Sequence, residues 1–245
     1  MSDAALLARA ERAAALVDRD PDAALAAAAN LIISADPEAS SVALRTSARV
    51  HARQGRALEA RRVLQRAIRV AERAGLTTRA AQARSSLVVI LVSLGQFDAA
   101  LAEADAAAPA LTGHDRGLLI AQRAVVLSRL DRTDEALAAY AQALDVLPSA
   151  DVSLRAMVLS NRGLLHTYRG NFDGARRDLE RCLELCDRHR LRAIAADAIH
   201  NVEPRRQRTD GSAAVAVGDS EERFGIPGGD PKVGGSAPTR GGRSA

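Results

Sequence analysis

The residues best suited to binding chemistry are three arginines that share one face of a predicted helix. Arg45, Arg49 and Arg53 follow one another at intervals of four, which places them on successive turns of one stripe. A guanidinium group binds a carboxylate through paired hydrogen bonds. Residues 45–84 hold eleven Arg against two acids, whereas residues 1–40 hold three Arg against seven acids. The row predicts a surface for an acidic group, with a solvated basic face as the plainer alternative.

A second arginine row follows on the next predicted helix, where it is expected to face outward. It consists of Arg62, Arg66, Arg69 and Arg73. Two basic rows together would suit phosphates. However, aromatic residues for base stacking make up only 2% of the chain, and no helix-turn-helix signature is present. These observations argue against nucleic acid as the partner.

Metal and catalytic chemistry find little support. Cys182, Cys186 and His189 occupy positions i, i+4 and i+7 of a predicted helix, so they could offer three metal ligands. Free cysteines are commonly buried as small apolar residues, and we favour that interpretation. The sequence shows no phosphate-binding glycine loop, no paired-histidine zinc motif and no nucleophile elbow. We predict a non-enzymatic protein with no metal and no cofactor.

Five copies of a short motif organise the chain. Residues 95–101, which read Gly-Gln-Phe-Asp-Ala-Ala-Leu, end one apolar helical run and begin another. Each copy carries a small residue that marks its phase, namely Ala24, Ala60, Ala100, Ala136 and Ala175. The spacings between these markers are 36, 40, 36 and 39 residues. Self-similarity in this range indicates stacked repeats.

The repeats are predicted to be pairs of helices. The 245 residues are 47% hydrophobic, mainly Ala, Leu and Val, and Ala and Leu are strong helix formers. Breaks in the apolar pattern divide the chain into pairs at about 3–36, 37–75, 77–109, 114–148 and 151–190, with an incomplete sixth at 191–201. One such pair cannot bury its apolar face alone, so neighbouring pairs must stack. We predict an all-α solenoid.

The repeat resembles the tetratricopeptide repeat. In the fourth copy, Ala136, Tyr140, Ala143 and Pro148 are spaced as in the second helix of that repeat, and the fifth copy has Gly163, Gly170, Ala175 and Leu179 at its small, turn and apolar positions. The resemblance covers roughly residues 1–200. It departs at the signature Trp, which is absent, and in repeats longer than the standard 34 residues. The resemblance implies a right-handed superhelix of about five helix pairs.

In that family the first helices line a concave groove that binds a peptide or protein. The resemblance places the following residues in the groove: Arg45, Arg49, Arg53, Ser85, Val89, Arg129, Ser160, Asn161 and Tyr168. Asn161 resembles the groove asparagine that contacts a peptide backbone. We therefore expect a protein-interaction scaffold with a partly basic groove, suited to an acidic peptide or a C-terminal carboxylate.

Two other functions stay open. Residues 161–163 and 170–175 are similar to the N-terminal sensor arrays of bacterial CHAT-domain proteins, in which a caspase-like Cys/His peptidase domain follows the repeats. This resemblance implies the sensor half of a truncated peptidase, and no residue of the chain matches the catalytic pair. The third function is the regulatory array of a transcriptional regulator.

The last 44 residues differ in character. Residues 202–245 are rich in Gly, Pro and Arg without helical period, which predicts a disordered tail. A genuine terminus and the product of a shifted reading frame both remain open explanations. The unfinished sixth repeat would permit self-association. With no apolar run long enough to cross a membrane and no signal peptide, we expect a cytoplasmic protein.

Overall fold

A computed structural model describes residues 2–202, and this range confirms the predicted all-α architecture. The helices are α1 (Asp3–Leu16), α2 (Pro21–Ile32), α3 (Pro37–Arg53), α4 (Ala57–Arg73), α5 (Thr77–Ser93), α6 (Phe97–Ala107), α7 (Gly113–Arg129), α8 (Thr133–Val146), α9 (Val152–Tyr168), α10 (Phe172–His189) and α11 (Arg192–Val202). A 3-10 turn, Ala108–Ala110, extends α6, and no strand occurs within residues 2–202. The predictions for residues 203–245 lie outside the described residues.

Two kinds of packing turn the helices into a solenoid. The helices of a pair lie against each other, and the second helix of each pair packs on the first helix of the next. The first helices also contact one another along the array, α3 with α5, α5 with α7 and α7 with α9. Within residues 2–202, no comparable contact joins successive second helices. The first helices therefore form the inner, more closely spaced layer.

Small residues at the phase positions allow this close packing. Ala24, Ala60, Ala100 and Ala136 are fully buried, and Ala175 is 5% exposed. The largest core cluster joins leucines of α3, α4 and α5 to the alanines of α6. Because a methyl side chain lets neighbouring backbones approach, any larger or charged side chain at these positions has no space.

The turns use a left-handed residue to end a helix. Gly55, Gly75, Gly95 and Gly170 have φ between +68° and +72°, a conformation that glycine adopts without steric cost. The residue after Gly55 then donates its N–H to the carbonyl of His51, 2.9 Å away. At the equivalent place after α7, Asp131 adopts φ of +59°. Among the turns within helix pairs of residues 2–202, this is the one in which a non-glycine residue has a left-handed φ.

Relief of that strain gives the first prediction. We expect Asp131→Gly to raise the free energy of unfolding by about 0.5–1 kcal/mol, because the left-handed conformation costs L-residues roughly 1–2 kcal/mol. Gly95→Ala is the opposite control, since Gly95 has φ of +70° and open space around its Cα. Urea unfolding followed by circular dichroism measures both. If both variants move stability in the same direction, the turn assignment is wrong.

Candidate partner-binding groove

A cavity of about 310 Å³ lies on the inner layer, where α3, α5 and α7 meet. Its walls are formed by Arg45, Ala48, Arg49, Ala52, Leu64, Gln82, Ser85, Ser86, Val89, Ile90, Leu111, His114, Asp115, Leu118 and Gln122. Four of the residues that the sequence placed in a groove are among them: Arg45, Arg49, Ser85 and Val89. The cavity therefore spans three successive repeats.

Arg45 is held in this cavity by a chain of hydrogen bonds across those three repeats. Its Nη1 donates to Oε1 of Gln82 over 2.9 Å. Gln82 in turn donates from Nε2 to Oδ2 of Asp115 over 2.7 Å. The buried Nε of Arg45 has no hydrogen-bond partner among the described residues. The guanidinium group thus lines the cavity with one donor unsatisfied, an arrangement that costs stability unless something binds there.

The electrostatic environment of Arg45 is unfavourable for its charge. Burial is the main cause that lowers the pKa of Arg45 to about 10, and the charges of Arg49 and Arg79 act in the same direction. Asp115 opposes them. Arg45 still carries its charge at neutral pH. An anion that entered the cavity would compensate for the lost hydration, because a buried charge needs a partner of opposite sign.

The outer end of the arginine row already has a carboxylate from the same chain. Asp18 accepts hydrogen bonds from Arg53 at 3.0 Å through Oδ1 and from Arg49 at 3.3 Å through Oδ2. Asp18 lies in the turn between α1 and α2, next to Val17, which is fully buried in a cluster with Val50. That packing fixes the carboxylate beside α3. Its side chain is 62% exposed, so the pair contributes little, about 0–1 kcal/mol.

Pairing between acids of the first repeats and arginines of the inner layer also explains the uneven charge along the chain. Arg79 on α5 donates from Nε to Glu38 at 2.8 Å and contacts Glu11 at 3.4 Å. Together with Asp18, these acids of the first repeats neutralise arginines of the inner layer. The acidic N-terminal segment and the basic segment that follows it therefore complement each other in the fold.

The rest of the cavity wall is partly apolar. Val89 and Leu118 are partly exposed there, and Leu64, Ile90 and Leu111 lie buried behind them. Ser85 donates to Oε1 of Gln122 at 2.9 Å, which satisfies this part of the polar wall. A cavity with aliphatic walls and a few converging polar groups has the character of a ligand-binding site.

The other predicted groove residues lie away from the cavity. Arg53 pairs with Asp18, as described. Arg129 is partly buried at the end of α7, and Tyr168 is exposed at the end of α9. Ser160 and Asn161 are buried on α9 and are not part of this cavity wall, so they take no part in the site proposed below.

Several residues of the cavity were missed by sequence reasoning. Gln82 lies three residues before Ser85, and Asp115 lies 14 residues before Arg129, so both are on the inner helices but upstream of the predicted groove residues. Gln122 lies seven residues before Arg129. The signal that could have found them is the presence of polar residues on the first helices, one or more turns upstream of the predicted groove residues.

The cysteine pair packs in the core of the fifth repeat. Sγ of Cys182 lies 4.0 Å from Sγ of Cys186, and both residues are buried with Leu179 and Ala198. Burial raises the pKa of the Cys186 thiol, which disfavours the thiolate that a metal would require. His189 points to an exposed position at the end of α10. The geometry fits the packing role.

The fold and the repeat pattern together define a class of helical-repeat protein. Residues 117–188 match the tetratricopeptide repeat family, which supports a tetratricopeptide-repeat protein and confirms that part of the resemblance. Repeats of this type generally mediate protein–protein interactions and are typically non-catalytic.

One solved structure with a similar fold is that of BtubC (BKLC) from P. vanneervenii. The two share 18% sequence identity with a TM-score of 0.56, over 85% of this chain and 95% of that one. This likeness concerns the fold alone. A comparison with curated protein sequences gives no match. None of the described helices is long and apolar enough to cross a membrane.

Proposed function

We propose that this protein is a non-enzymatic interaction scaffold that binds an acidic segment of a protein partner in the cavity between α3, α5 and α7. The single observation behind this proposal is Arg45. It is a charged residue at the cavity wall with a buried Nε that has no partner among the described residues. A buried donor without a partner is uncommon in natural folds, and here it belongs to a charged residue of the cavity wall, where an incoming acceptor could bind it.

The partner's carboxylate would occupy the space beside Arg45 and Arg49. Bidentate binding to the Arg45 guanidinium would satisfy Nε and offset the charge that burial disfavours. Val89 and Leu118, the partly exposed aliphatic residues of the cavity wall, would receive a neighbouring apolar side chain of the same segment. We therefore expect a recognised segment that combines acidic and aliphatic residues.

Charge reversal of the inner arginine row tests this proposal. We expect the variant Arg45→Glu/Arg49→Glu/Arg53→Glu to lose capture of a fluorescein-labelled peptide of alternating Glu and Leu, with an affinity loss of at least about thirtyfold. Fluorescence polarisation measures the loss, and circular dichroism checks that helicity is kept. The milder variant Arg45→Gln removes the charge without reversing it, and it should show a smaller loss in the same direction.

The matched control lies on the other helix of the same repeat. Arg62→Glu/Arg66→Glu/Arg69→Glu changes the net charge by the same amount on exposed residues of α4. We expect its peptide affinity to stay within about threefold of the unmodified protein, since distant exposed charges are screened. Equal losses in both triple variants would exclude the groove and leave only a net-charge effect.

Asp18 provides a test in the opposite direction. Asp18→Asn removes the carboxylate that pairs with Arg49 and Arg53. Because the exposed pair is weak, we expect a modest gain in peptide affinity, about two- to fivefold. A loss of affinity in this variant would show that Asp18 shapes the groove rather than competing with the partner.

The two alternatives stay predictions. No contact of residues 2–202 favours the sensor half of a CHAT-domain peptidase or the regulatory array of a transcriptional regulator over the scaffold. The cytoplasmic location and self-association through the sixth repeat likewise stay predictions.

A further inference from the structure

The outer face of α4 carries an arginine row that the groove does not use. Arg62, Arg66, Arg69 and Arg73 are all exposed on this helix. At 100° per residue they fall within an arc of about 60°, and at 1.5 Å per residue they extend over about 16 Å. The row is therefore straight, narrow and one helix wide.

The acids nearest to these four guanidinium groups along α4 pair with other arginines. None of them forms an ion pair or a hydrogen bond with another described residue. The two acids of α4 are engaged elsewhere, since Glu59 pairs with Arg56 at 3.3 Å and Glu72 with Arg84 at 2.5 Å. In contrast, several arginines of the inner layer pair with acids of the first repeats. The outer row is thus a line of positive charge with no ion-pair partner among residues 2–202.

We propose that this row binds the phosphate backbone of a nucleic acid without regard to its sequence. About 16 Å of duplex carries roughly five phosphates on each strand, so a line of four guanidinium groups can follow one strand. Arginine pairs with phosphate bidentately. Contacts of this kind need no aromatic side chains and no recognition helix, which base-specific binding would require. The proposal is independent of the groove and of its acidic partner.

Two other classes of partner fit the row less well. A protein interface has an apolar centre. The one large exposed hydrophobic residue of α4 is Leu58, which lies four residues before Arg62 at the end of the row. A helix that lies in a membrane surface inserts its apolar face. The apolar face of α4, with Leu64, Ala67 and Ala71, is already buried in the solenoid.

Salt dependence provides the test. We expect the full chain to bind a fluorescein-labelled duplex of mixed sequence, with log K falling against log salt at a slope of about −3.6 for four phosphate contacts. This slope corresponds to about a hundredfold loss of affinity between 50 and 200 mM salt. The variant Arg62→Gln/Arg66→Gln/Arg69→Gln/Arg73→Gln should lose at least about tenfold in affinity at 50 mM salt, and its slope should approach zero.

A scattered variant controls for net charge. Arg12→Gln/Arg19→Gln/Arg177→Gln/Arg188→Gln removes four exposed charges from α1, the following turn and α10. We expect its slope and its duplex affinity at 50 mM salt to match those of the unmodified protein. The groove variant Arg45→Gln should also bind duplex normally.

Three outcomes would overturn the proposal. The first is no duplex binding by the unmodified chain at low salt. The second is an equal loss in the row variant and the scattered variant, which would show an effect of net charge alone. The third is preferential binding of phosphatidylserine vesicles or polyglutamate over duplex. That result would assign the row to a membrane surface or to an acidic protein instead.

Discussion

Ala100→Asp is expected to unfold much of the solenoid, whereas Ala99→Asp on the same helix leaves it folded. Ala100 is fully buried in the largest core cluster, among side chains of α3 to α7. An aspartate there would bury a carboxylate with no partner and no space. We expect a loss of about 4 kcal/mol or more, a large part of the 5–15 kcal/mol that stabilises an ordinary domain.

The comparison with Ala99 isolates burial as the cause. Ala99 is exposed one residue earlier, so both variants carry the same charge in the first turn of α6. Thermal unfolding followed by circular dichroism should show a fall of about 10 °C or more for Ala100→Asp and little change for Ala99→Asp. Similar melting temperatures would mean that Ala100 does not face the core and that the phase of the repeats is wrong.

The second large effect is expected at Asp178 in the fifth repeat. Its side chain is 9% exposed, and it accepts hydrogen bonds from Nε and Nη2 of Arg162, each at 2.7 Å. Asp178→Ala leaves this guanidinium partly buried without its carboxylate. We expect a loss of about 3 kcal/mol, at the lower end for a broken buried pair because the Arg162 side chain keeps some contact with water.

Two further variants separate the ion pair from simple loss of volume. Glu184→Ala removes a carboxylate that pairs with Arg181 at 2.7 Å on the surface of α10, and we expect it to cost less than about 1 kcal/mol. Arg162→Met/Asp178→Leu replaces both charges and should recover most of the stability. Urea unfolding measures all three. If the double variant is no more stable than Asp178→Ala, packing rather than charge explains the loss.

The helices and their phase could be predicted from the sequence because their signals are local. The turn motif around Gly95 and the buried position of Ala100 are set by spacing within one repeat. Gly75 likewise follows the last residues of a helix and has φ of +68°, the left-handed conformation that glycine favours at helix ends. Each of these features depends on neighbours a few residues away.

The composition of the groove could not be predicted in the same way. Asp18 reaches Arg49 and Arg53 from 31 and 35 residues away, and Glu11 reaches Arg79 from 68 residues away. These distances close only when the repeats stack with a particular rotation, which residue spacing does not determine. The sequence therefore predicted an open arginine row, whereas in the structure Arg49 and Arg53 pair with Asp18 and the Nε atom of Arg45 is buried.

This difference changes the emphasis among the three arginines. Arg53 lies outside the cavity and serves the contact with the first repeat. Arg45, which the spacing treats as equal to the others, is the residue with the buried and unsatisfied donor. The four-residue spacing of these arginines cannot distinguish a surface arginine from one that is enclosed by the next two repeats.

The most direct test of the proposed groove is the side-chain N–H resonance of Arg45 during titration with the acidic peptide. We predict that its Nε–H signal moves progressively and to saturation as the carboxylate binds, while the Nε–H signal of Arg62 on the outer face stays in place. The shift should follow the same binding curve as fluorescence polarisation. A peptide that binds without moving the Arg45 signal would contradict the account, because its carboxylate would then lie somewhere other than the cavity between α3, α5 and α7.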